Sequence, residues 1–168
     1  ALAYFFEGED QPMNFTKLLT VESADSTEVS RVDLLINYRS LHFVAKRRDE
    51  FEKLGVPVLH ALNYTEGDQL SFEADNAGIS PSLTPFFLVM PEDTGSADPT
   101  IIAANGTGEN QGVKQVIDYQ LNALVERAYN HANLAHINNS EKKVATFIWN
   151  YPPGEKNIGA AFLDVPTS

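Results

Sequence analysis

The stretch 43-FVAKRRDEFEKLGVPVLHAL-62 decides the fold that the sequence predicts. Its first part carries apolar residues at helical spacing: Phe43, Val44, Phe51 and Leu54. Gly55 follows them, and glycine is typical of the position just past a helix. The remainder, 56–62, is an apolar run with the length of a buried strand. The stretch therefore predicts a helix that leads directly into a strand covered on both faces, which is the building unit of α/β proteins.

The alternation of strand and helix continues on both sides of this stretch. Besides the helix at 43–55, helices are predicted at 12–22 and 113–134, and further strands at 2–6, 31–38, 84–93, 100–105 and 143–150. A short helix is predicted inside the polar loop 64–82. Because apolar strands are separated by helical segments, we expect an α/β fold: an open, mainly parallel sheet with helices on both faces, in a Rossmann- or flavodoxin-like layer.

These segments group into three parts. Residues 1–110 form the predicted α/β domain, 111–140 a long helix with a connector, and 141–168 a strand, a Pro-Pro/Gly turn and the start of the next α/β element. The long helix is amphipathic, because its apolar residues share one stripe: Val113, Val116, Ile117, Leu121, Leu124, Val125 and Ala128. We expect the layer to be truncated at both ends, since 166-PTS-168 suits the cap and first turn of a further helix.

Composition excludes several classes of function. The chain has 168 residues, of which 43% are hydrophobic, as in an ordinary globular domain. It has no cysteine, which excludes disulfides and thiolate metal sites. The net charge of -11 argues against nucleic acid as a partner, because phosphate binding needs a basic surface. No membrane span is predicted in the apolar start of the chain, which is too short for one.

Acidic residues are concentrated in the middle of the chain. No Lys or Arg lies between Lys53 and Lys114, whereas eight acidic residues do: Glu66, Asp68, Glu73, Asp75, Glu92, Asp93, Asp98 and Glu109. Such a surface attracts cations or a basic partner. The same residues also suit a solvated acidic surface, and this is the interpretation that we favour from the sequence.

In sheets of this kind, ligands bind beyond the carboxyl ends of the strands. The predicted strands place four segments there: 37–40, 60–64, 91–95 and 150–159. Glu92 and Asp93 suit a catalytic pair at a strand end, although an acidic pair in a turn more often caps a helix or contacts water. None of the four histidines is spaced to share a metal ion with another His or a carboxylate: His42, His60, His131 and His136.

The last predicted strand leads into a glycine turn, 150-NYPPGEKNIG-159. Gly154 and Gly159 have the spacing of a phosphate loop, but Ala160-Ala161 replace the required Lys and Ser/Thr, which argues against nucleotide binding. Free backbone N–H groups in such a turn attract anions such as carboxylates. Alternatively, the glycines serve only a tight turn and close packing. Trp149 suits either stacking on a flat ligand or core packing.

Several stretches, taken in order, resemble one family. They are 55-GVPVLHAL-62, 78-GISPSLTPFFLVMPEDTG-95, the helix with Glu126-Arg127, and 141-EKKVATFIWNYPPGEKNIGAAFLDVPTS-168. Together they are similar to the large subunits of cobaltochelatase and magnesium chelatase, and the last stretch is the most specific. Because those subunits are far longer, the resemblance implies that the chain is an internal fragment.

The resemblance also implies a function. Large subunits of this family bind a tetrapyrrole and insert a divalent metal, while separate AAA+ ATPase subunits use ATP. Cobalt or magnesium is then a substrate of the parent complex, and we expect this chain to bind no cofactor. Insertion requires the removal of pyrrole protons, for which a buried His or carboxylate would serve. In the family such groups lie largely beyond this stretch, so we expect no catalytic residue here, and a cytoplasmic chain that is folded but inactive alone.

The resemblance finally implies ligand-binding positions and a branch of the family. The positions expected to face the tetrapyrrole are Asn150, Tyr151, Pro152, Gly154, Asn157, Gly159 and Glu92. Tyr-Pro-Pro in place of Phe-Pro-Pro favours cobalt insertion into hydrogenobyrinic acid a,c-diamide, in cobalamin biosynthesis. Phe72 and 91-PEDTG-95 depart from the family pattern. Magnesium insertion into protoporphyrin therefore stays an alternative, as does a non-catalytic binding or docking module.

Overall fold

The computed structural model describes residues 13–38 and 47–145, except for the side chain of Phe15. The strand predicted at 2–6 and the turn predicted at 150–159 lie outside the described residues, as does most of the strand predicted at 143–150. The chain divides into two compact units, Ala1–His136 and Ile137–Ser168. In the second unit, a short 3-10 turn spans Asn139–Glu141.

The first unit contains most of the described helices and strands. Its helices are α1 (Asn14–Leu19), α2 (Arg47–Leu54), α3 (Gln69–Ala74), a π-helical turn (Pro85–Val89) that continues as α4 (Met90–Asp93), and α5 (Asp118–Leu134). Its strands are β1 (Thr20–Glu22), β2 (Glu28–Ser30), β3 (Leu35–Asn37), β4 (Val58–Asn63), β5 (Ala97–Asn105) and β6 (Lys114–Val116). Gly55 has φ +64° directly after α2, as expected of a glycine past a helix end.

Four strands form one sheet in the order β3-β4-β5-β6. β3, β4 and β5 run parallel, and β6 is antiparallel to β5. A separate antiparallel hairpin joins β1 and β2, with Val21 opposite Val29. The predicted fold, α/β with a mainly parallel sheet, is therefore confirmed.

β4 is the strand around which the core is built. Successive side chains of a strand point to opposite faces. Val58 packs with Phe51 and Leu54 of α2, whereas the next residue, Leu59, packs with Leu124 of α5. α2 and α5 therefore cover opposite faces of β4, and the 56–62 run is apolar because neither of its faces meets water.

The strand predicted at 84–93 is wrong, because this segment is helical. Pro85 occupies the first position of the π-helical turn, and the Met90 N–H donates to the Pro85 carbonyl. Proline suits a helix start because its missing N–H is not needed there. A short continuous apolar run has no period, so its composition fits a buried strand as well as a helix.

The long helix predicted at 113–134 begins only at Asp118. The residues before it form β6, and the Ile117 N–H still donates to the Ile102 carbonyl over 2.8 Å. This pairing with β5 keeps the chain extended until Ile117, which is fully buried. Val113 and Val116 fit the apolar stripe of the predicted helix. In the structure both side chains are exposed, next to or within the edge strand β6.

Three smaller predictions are corrected in their bounds. The helix predicted at 12–22 ends at Leu19, and its last residues form β1. Thr20 and Val21 are β-branched, which favours the extended conformation. The strand predicted at 31–38 is limited to β3, and the strand predicted at 100–105 begins earlier, at Ala97.

Candidate functional site

The side of the sheet that α2 covers contains a buried polar layer. Arg47 and Glu50 lie on the same stripe of α2 as Phe51 and Leu54, and all four are buried. His60 points to this side, because it lies two residues after Val58. Buried polar side chains in the described parts of the chain are Thr16, Arg47, Glu50, His60, Ser96 and Thr100. Most of them therefore belong to α2, to its neighbour α1, or to the sheet face beneath α2.

Glu50 connects the two helices of this layer. Its Oε1 accepts from the backbone N–H of Met13, and its Oε2 accepts from Nη1 of Arg47. The side chains of Arg47 and Glu50 are only 5% and 0% exposed. A buried ion pair of this kind is tolerated when its partners also satisfy each other's hydrogen bonds, and breaking it leaves an uncompensated charge. Glu50 thus holds the start of α1 against α2.

A hydrogen bond spans the sheet within the same layer. Nδ2 of Asn37, the last residue of β3, donates to Oγ of Ser96 over 3.0 Å. Ser96 directly precedes β5, so the bond bridges two strands across β4, which lies between them. In the strand register Asn37 is paired with His60. β3, β4 and the residue directly before β5 therefore each bring one polar side chain to this layer.

His60 is a neutral base inside this layer. The residue is 1% exposed. Burial lowers the pKa of His60 from 6.5 to about 4, because the charged imidazolium is poorly solvated in the interior. At neutral pH the ring therefore carries one N–H donor and one acceptor nitrogen. In this position His60 supports the layer from within and does not face solvent.

The carboxyl edge of the sheet is lined by hydrogen-bonding groups that water reaches. The Tyr38 hydroxyl donates to Oδ1 of Asn63, so the ends of β3 and β4 are joined there. Nδ2 of Asn105 donates to the Thr65 carbonyl over 3.2 Å, and Nζ of Lys114 donates to Oδ1 of Asn105. The amide and ammonium groups keep further N–H donors at this edge, and such donors are suited to bind carboxylate oxygens.

Two of the predicted segments meet at this edge. Residues 37–40 and 60–64 were predicted to lie beyond the carboxyl ends of strands. In the described part of the first, Tyr38 contacts Asn63 at the end of β4, whereas Asn37 contacts Ser96 at the start of β5. The third segment, 91–95, precedes β5 and does not follow a strand. Its Glu92 is an exposed residue of α4, so the predicted strand-end position of Glu92 is wrong, whereas its role in ligand binding stays a prediction. The fourth, 150–159, is outside the described residues.

Two of the remaining histidines, His131 and His136, are exposed. His131 is exposed on α5, and Nε2 of His136 lies 3.0 Å from Oδ1 of Asp33. His42 lies outside the described residues. Within residues 13–38 and 47–145, no group of three or more His, Asp or Glu side chains is placed to hold a metal ion. In the same ranges no helix has the length and apolarity to cross a membrane.

Two acidic residues of the middle segment have structural roles. Oδ1 of Asp68 accepts from the Ser71 hydroxyl over 2.7 Å and from the Ser71 N–H over 2.9 Å, and it caps α3. Asp75 accepts from the Ala77 N–H over 2.8 Å and from the Tyr64 hydroxyl over 2.9 Å. These hydrogen bonds hold the pKa of both carboxyls below the usual value of 3.8. Neither carboxylate is therefore available as a general acid near neutral pH.

The sequence did not predict the residues of the buried layer, nor the contact of Arg127 with Asp98 and Thr100 on the other face of the sheet. Arg47 and Glu50 lie on the same stripe of α2 as Phe51, and this spacing was visible in the sequence. The spacing does not by itself predict burial, because charged residues are rarely buried.

On the other face of the sheet, Arg127 of α5 donates from Nη1 to Asp98 over 3.0 Å and from Nη2 to Thr100. This clamp holds the irregular start of β5, where Asp98 has φ +52°.

Comparison with known proteins gives this fold a family. A magnesium-chelatase subunit of Chlorobaculum parvum is 28% identical over 152 residues, which cover 82% of this chain and 12% of that protein. The chloroplastic magnesium-chelatase subunit ChlH of rice, in the subspecies indica and japonica, is 28% identical over 115 residues, which cover 68% of this chain and 8% of that protein. The chain thus spans a small part of the length of the curated relatives that it matches.

No solved structure matches the chain. The family described as CobN/Magnesium Chelatase matches residues 1–168, that is, the whole chain. A match of this extent includes the sheet, the buried layer and the carboxyl edge as well as the residues around the glycine turn. The chain belongs to the CobN/magnesium chelatase family.

Proposed function

We propose that this chain is part of the tetrapyrrole-binding large subunit of an ATP-dependent metal chelatase in the cytoplasm. The observation that carries the proposal is the family match along residues 1–168. The parent complex would take a divalent metal and a tetrapyrrole as substrates, and AAA+ ATPase subunits would supply the energy. The chain alone would be folded but inactive.

Within the large subunit, the chain would hold one wall of the tetrapyrrole site. Natural tetrapyrrole substrates carry carboxylates, and the carboxyl edge offers amide donors from Asn63 and Asn105 and ammonium donors from Lys114. In the buried layer under α2, Asn37 and Ser96 join the end of β3 to the start of β5. Metal insertion itself needs a base that reaches the pyrrole nitrogens, and we assign that base to a part of the protein beyond this chain.

Two branches of the family compete for the metal. Tyr151-Pro152-Pro153 favours cobalt and hydrogenobyrinic acid a,c-diamide, which is the branch that we propose. The curated relatives carry magnesium-chelatase names, and magnesium with protoporphyrin is the second candidate. One family description covers both branches, so only a direct assay separates them.

The assay uses the complete large subunit with its ATPase subunits and ATP. Each tetrapyrrole is offered with Co²⁺ or Mg²⁺, and the metallated product is followed by its absorption spectrum. We expect turnover with cobalt and the diamide, and none when ATP is omitted. Turnover with magnesium and protoporphyrin alone would assign the second branch, and no metal insertion with either pair would contradict the proposal.

A non-catalytic binding module is the other class of function that the polar carboxyl edge supports. The 168-residue chain has a single tryptophan, Trp149, which is a natural reporter. Titration with a carboxylated tetrapyrrole should quench its fluorescence if the chain binds the ring by itself. Quenching by the isolated chain, with no metal insertion by the complete complex, would favour the binding module.

A further inference from the structure

One edge of the sheet carries backbone groups that no described strand uses. β3 is the outermost described strand at this edge. The Leu35 N–H donates to the Pro57 carbonyl, next to β4, over 2.9 Å. Because neighbouring residues of a strand direct their backbone groups to opposite sides, the N–H and carbonyl of Ile36 point away from β4. Within residues 13–38 and 47–145, no strand pairs with Ile36 on that side, so the edge can accept one more strand.

The composition of β3 is that of an inner strand. Leu34 and Leu35 pack on opposite faces of the sheet, each against a different apolar cluster. Leu35–Asn37 contains none of the lysines or prolines with which natural edge strands avoid further pairing. β6, at the opposite edge, does begin with a lysine, Lys114, and all of its side chains are exposed. β3 is therefore built like a strand with a neighbour on each side.

The position of α1 indicates which segment covers this edge. The start of α1 is held at α2, because the Met13 N–H donates to Glu50, and Leu19 at its end packs on the cluster that includes Phe51. α1 therefore lies on the same face of the sheet as α2. In the chain, α2 connects β3 with β4. In the same way, α1 comes between β3 and the apolar segment 2–6, which lies outside the described residues.

The handedness of such connections then determines where segment 2–6 lies. About 98% of connections between parallel strands of one sheet are right-handed. Two connections of the same hand, with helices on the same face, step across the sheet in the same direction. The step from β3 to β4 runs towards β5. A step from 2–6 to β3 in that direction starts at the outer edge of β3 and not at the edge formed by β6.

We propose that residues 2–6 form a parallel strand on the outer edge of β3, where they pair with the N–H and carbonyl of Ile36. The segment 2-LAYFF-6 has no charge and no proline, and such an apolar run suits a strand covered on both faces. The connector 7–12 has an ordinary length for a loop between strand and helix, about 2 to 6 residues. This interface goes beyond the function proposed above and closes the β3 edge to strands of other chains.

Disulfide cross-linking in the complete large subunit tests the proposal. Neighbouring strands lie about 4.8 Å apart, within the Cα–Cα range of about 4.4 to 6.8 Å that a disulfide bridges. Each test variant carries Ile36→Cys and one further cysteine, so that both faces of the segment are sampled: Ala3→Cys, Tyr4→Cys or Phe5→Cys. Val116→Cys replaces Ile36→Cys in the matched control, because both residues are exposed on edge strands, Ile36 by 41% and Val116 by 50%.

We expect oxidation to link at least one of the three positions to position 36 within one chain, and none of them to position 116. Mass spectrometry of the linked peptides identifies the bonds.

Amide hydrogen exchange in the unsubstituted subunit is the second measurement, because it does not require the cysteine variants to fold. The Val116 N–H points away from β5, since its neighbour Ile117 donates to the Ile102 carbonyl. Val116 therefore shows the exchange of an edge strand. We expect the Ile36 N–H to exchange at least about tenfold more slowly than the Val116 N–H.

Three outcomes would overturn the inference. Links to position 116 and not to position 36 would place the segment at the other edge of the sheet. Links to position 36 that form only between two chains would assign the β3 edge to a second copy of the protein. If no link forms at either edge, residues 2–6 do not pair with β3, and slow exchange at Ile36 would then assign the edge to another part of the subunit.

Discussion

The two faces of β4 are built on different chemistry. On the α5 side, Leu59 and Ala61 pack against Leu124 and Ala128, and the contact is apolar. On the α2 side, the apolar cluster around Val58 gives way to buried polar groups from both helix and sheet. Apolar packing alone would suffice to attach a helix. The polar layer beneath α2 instead ties the start of α1 to α2 and the end of β3 to the start of β5.

The largest expected effect lies on the α2 side. Glu50→Ala should lower the free energy of unfolding of the chain by about 3 to 5 kcal/mol, because it leaves the Arg47 charge buried without its carboxylate. The measurement is urea unfolding followed by far-UV circular dichroism. The double variant Arg47→Met/Glu50→Leu should recover most of the loss. A loss below about 1 kcal/mol for the single variant would mean that the pair is not buried in solution.

On the α5 side, a cavity is the expected source of instability. Leu124 is fully buried, so Leu124→Ala should lower the free energy of unfolding by about 3 kcal/mol. Val125→Ala is the matched control, because Val125 is 52% exposed on the same helix and should change stability by less than about 0.5 kcal/mol. Equal losses for the two variants would contradict the way in which α5 is placed on the sheet.

The pH dependence of stability should distinguish the two faces further. The pKa of His60 falls from 6.5 to about 4 on folding. Between these values the unfolded chain takes up a proton and the folded chain does not, so stability is lost as pH falls from 6.5 towards 4. The loss should approach about 3 kcal/mol.

The His60→Gln variant should not lose stability to His60 protonation as pH falls, whatever the stability of the variant at pH 7. His131→Gln, at an exposed histidine of α5, should retain it. The readout is the free energy of unfolding at several pH values from 7 to about 4.5, since the unfolded-state proton uptake occurs there. An identical slope in the parent and in His60→Gln would disprove the buried position of the imidazole.

The smallest expected loss of stability concerns the polar contact on the α5 side, between Arg127 and the start of β5. Arg127→Ala removes the clamp on Asp98 and Thr100, whose bonds join α5 to the start of β5. The guanidinium and its carboxylate partner are 40% and 35% exposed, so the loss should be only about 1 to 2 kcal/mol. Urea unfolding at pH 7 measures it, and a loss as large as that of Glu50→Ala would erase the contrast between the faces.

The parts of the fold that sequence analysis predicted correctly depend on local periodicity and on strand direction. Gly55 and the 56–62 run identified a helix end and a central strand without any tertiary information. The prediction that 37–40 and 60–64 lie beyond strand ends required only the strand boundaries, and parallel strands end at the same edge. That is why Tyr38 and Asn63 are found in contact.

The parts that it missed depend on partners distant in the chain. The 84–93 run is apolar without a period, and only its tertiary setting decides that it is helical. Val113 and Val116 fit a helical stripe, but pairing with β5 overrides that preference. The burial of Glu50 requires Met13, 37 residues away, as a donor. Such a contact leaves no pattern in the sequence around either residue.

Tetrapyrrole binding by the complete large subunit tests the central claim most directly. Asn63→Asp adds a negative charge where the ends of β3 and β4 meet, and Asn122→Asp adds the same charge on the exposed surface of α5. Quenching of intrinsic fluorescence by a carboxylated tetrapyrrole gives Kd for each variant. We predict a rise of at least about tenfold for Asn63→Asp and no change for Asn122→Asp, because like charges repel at close range. Equal affinities of the parent and Asn63→Asp would contradict the claim that the carboxyl edge faces the tetrapyrrole.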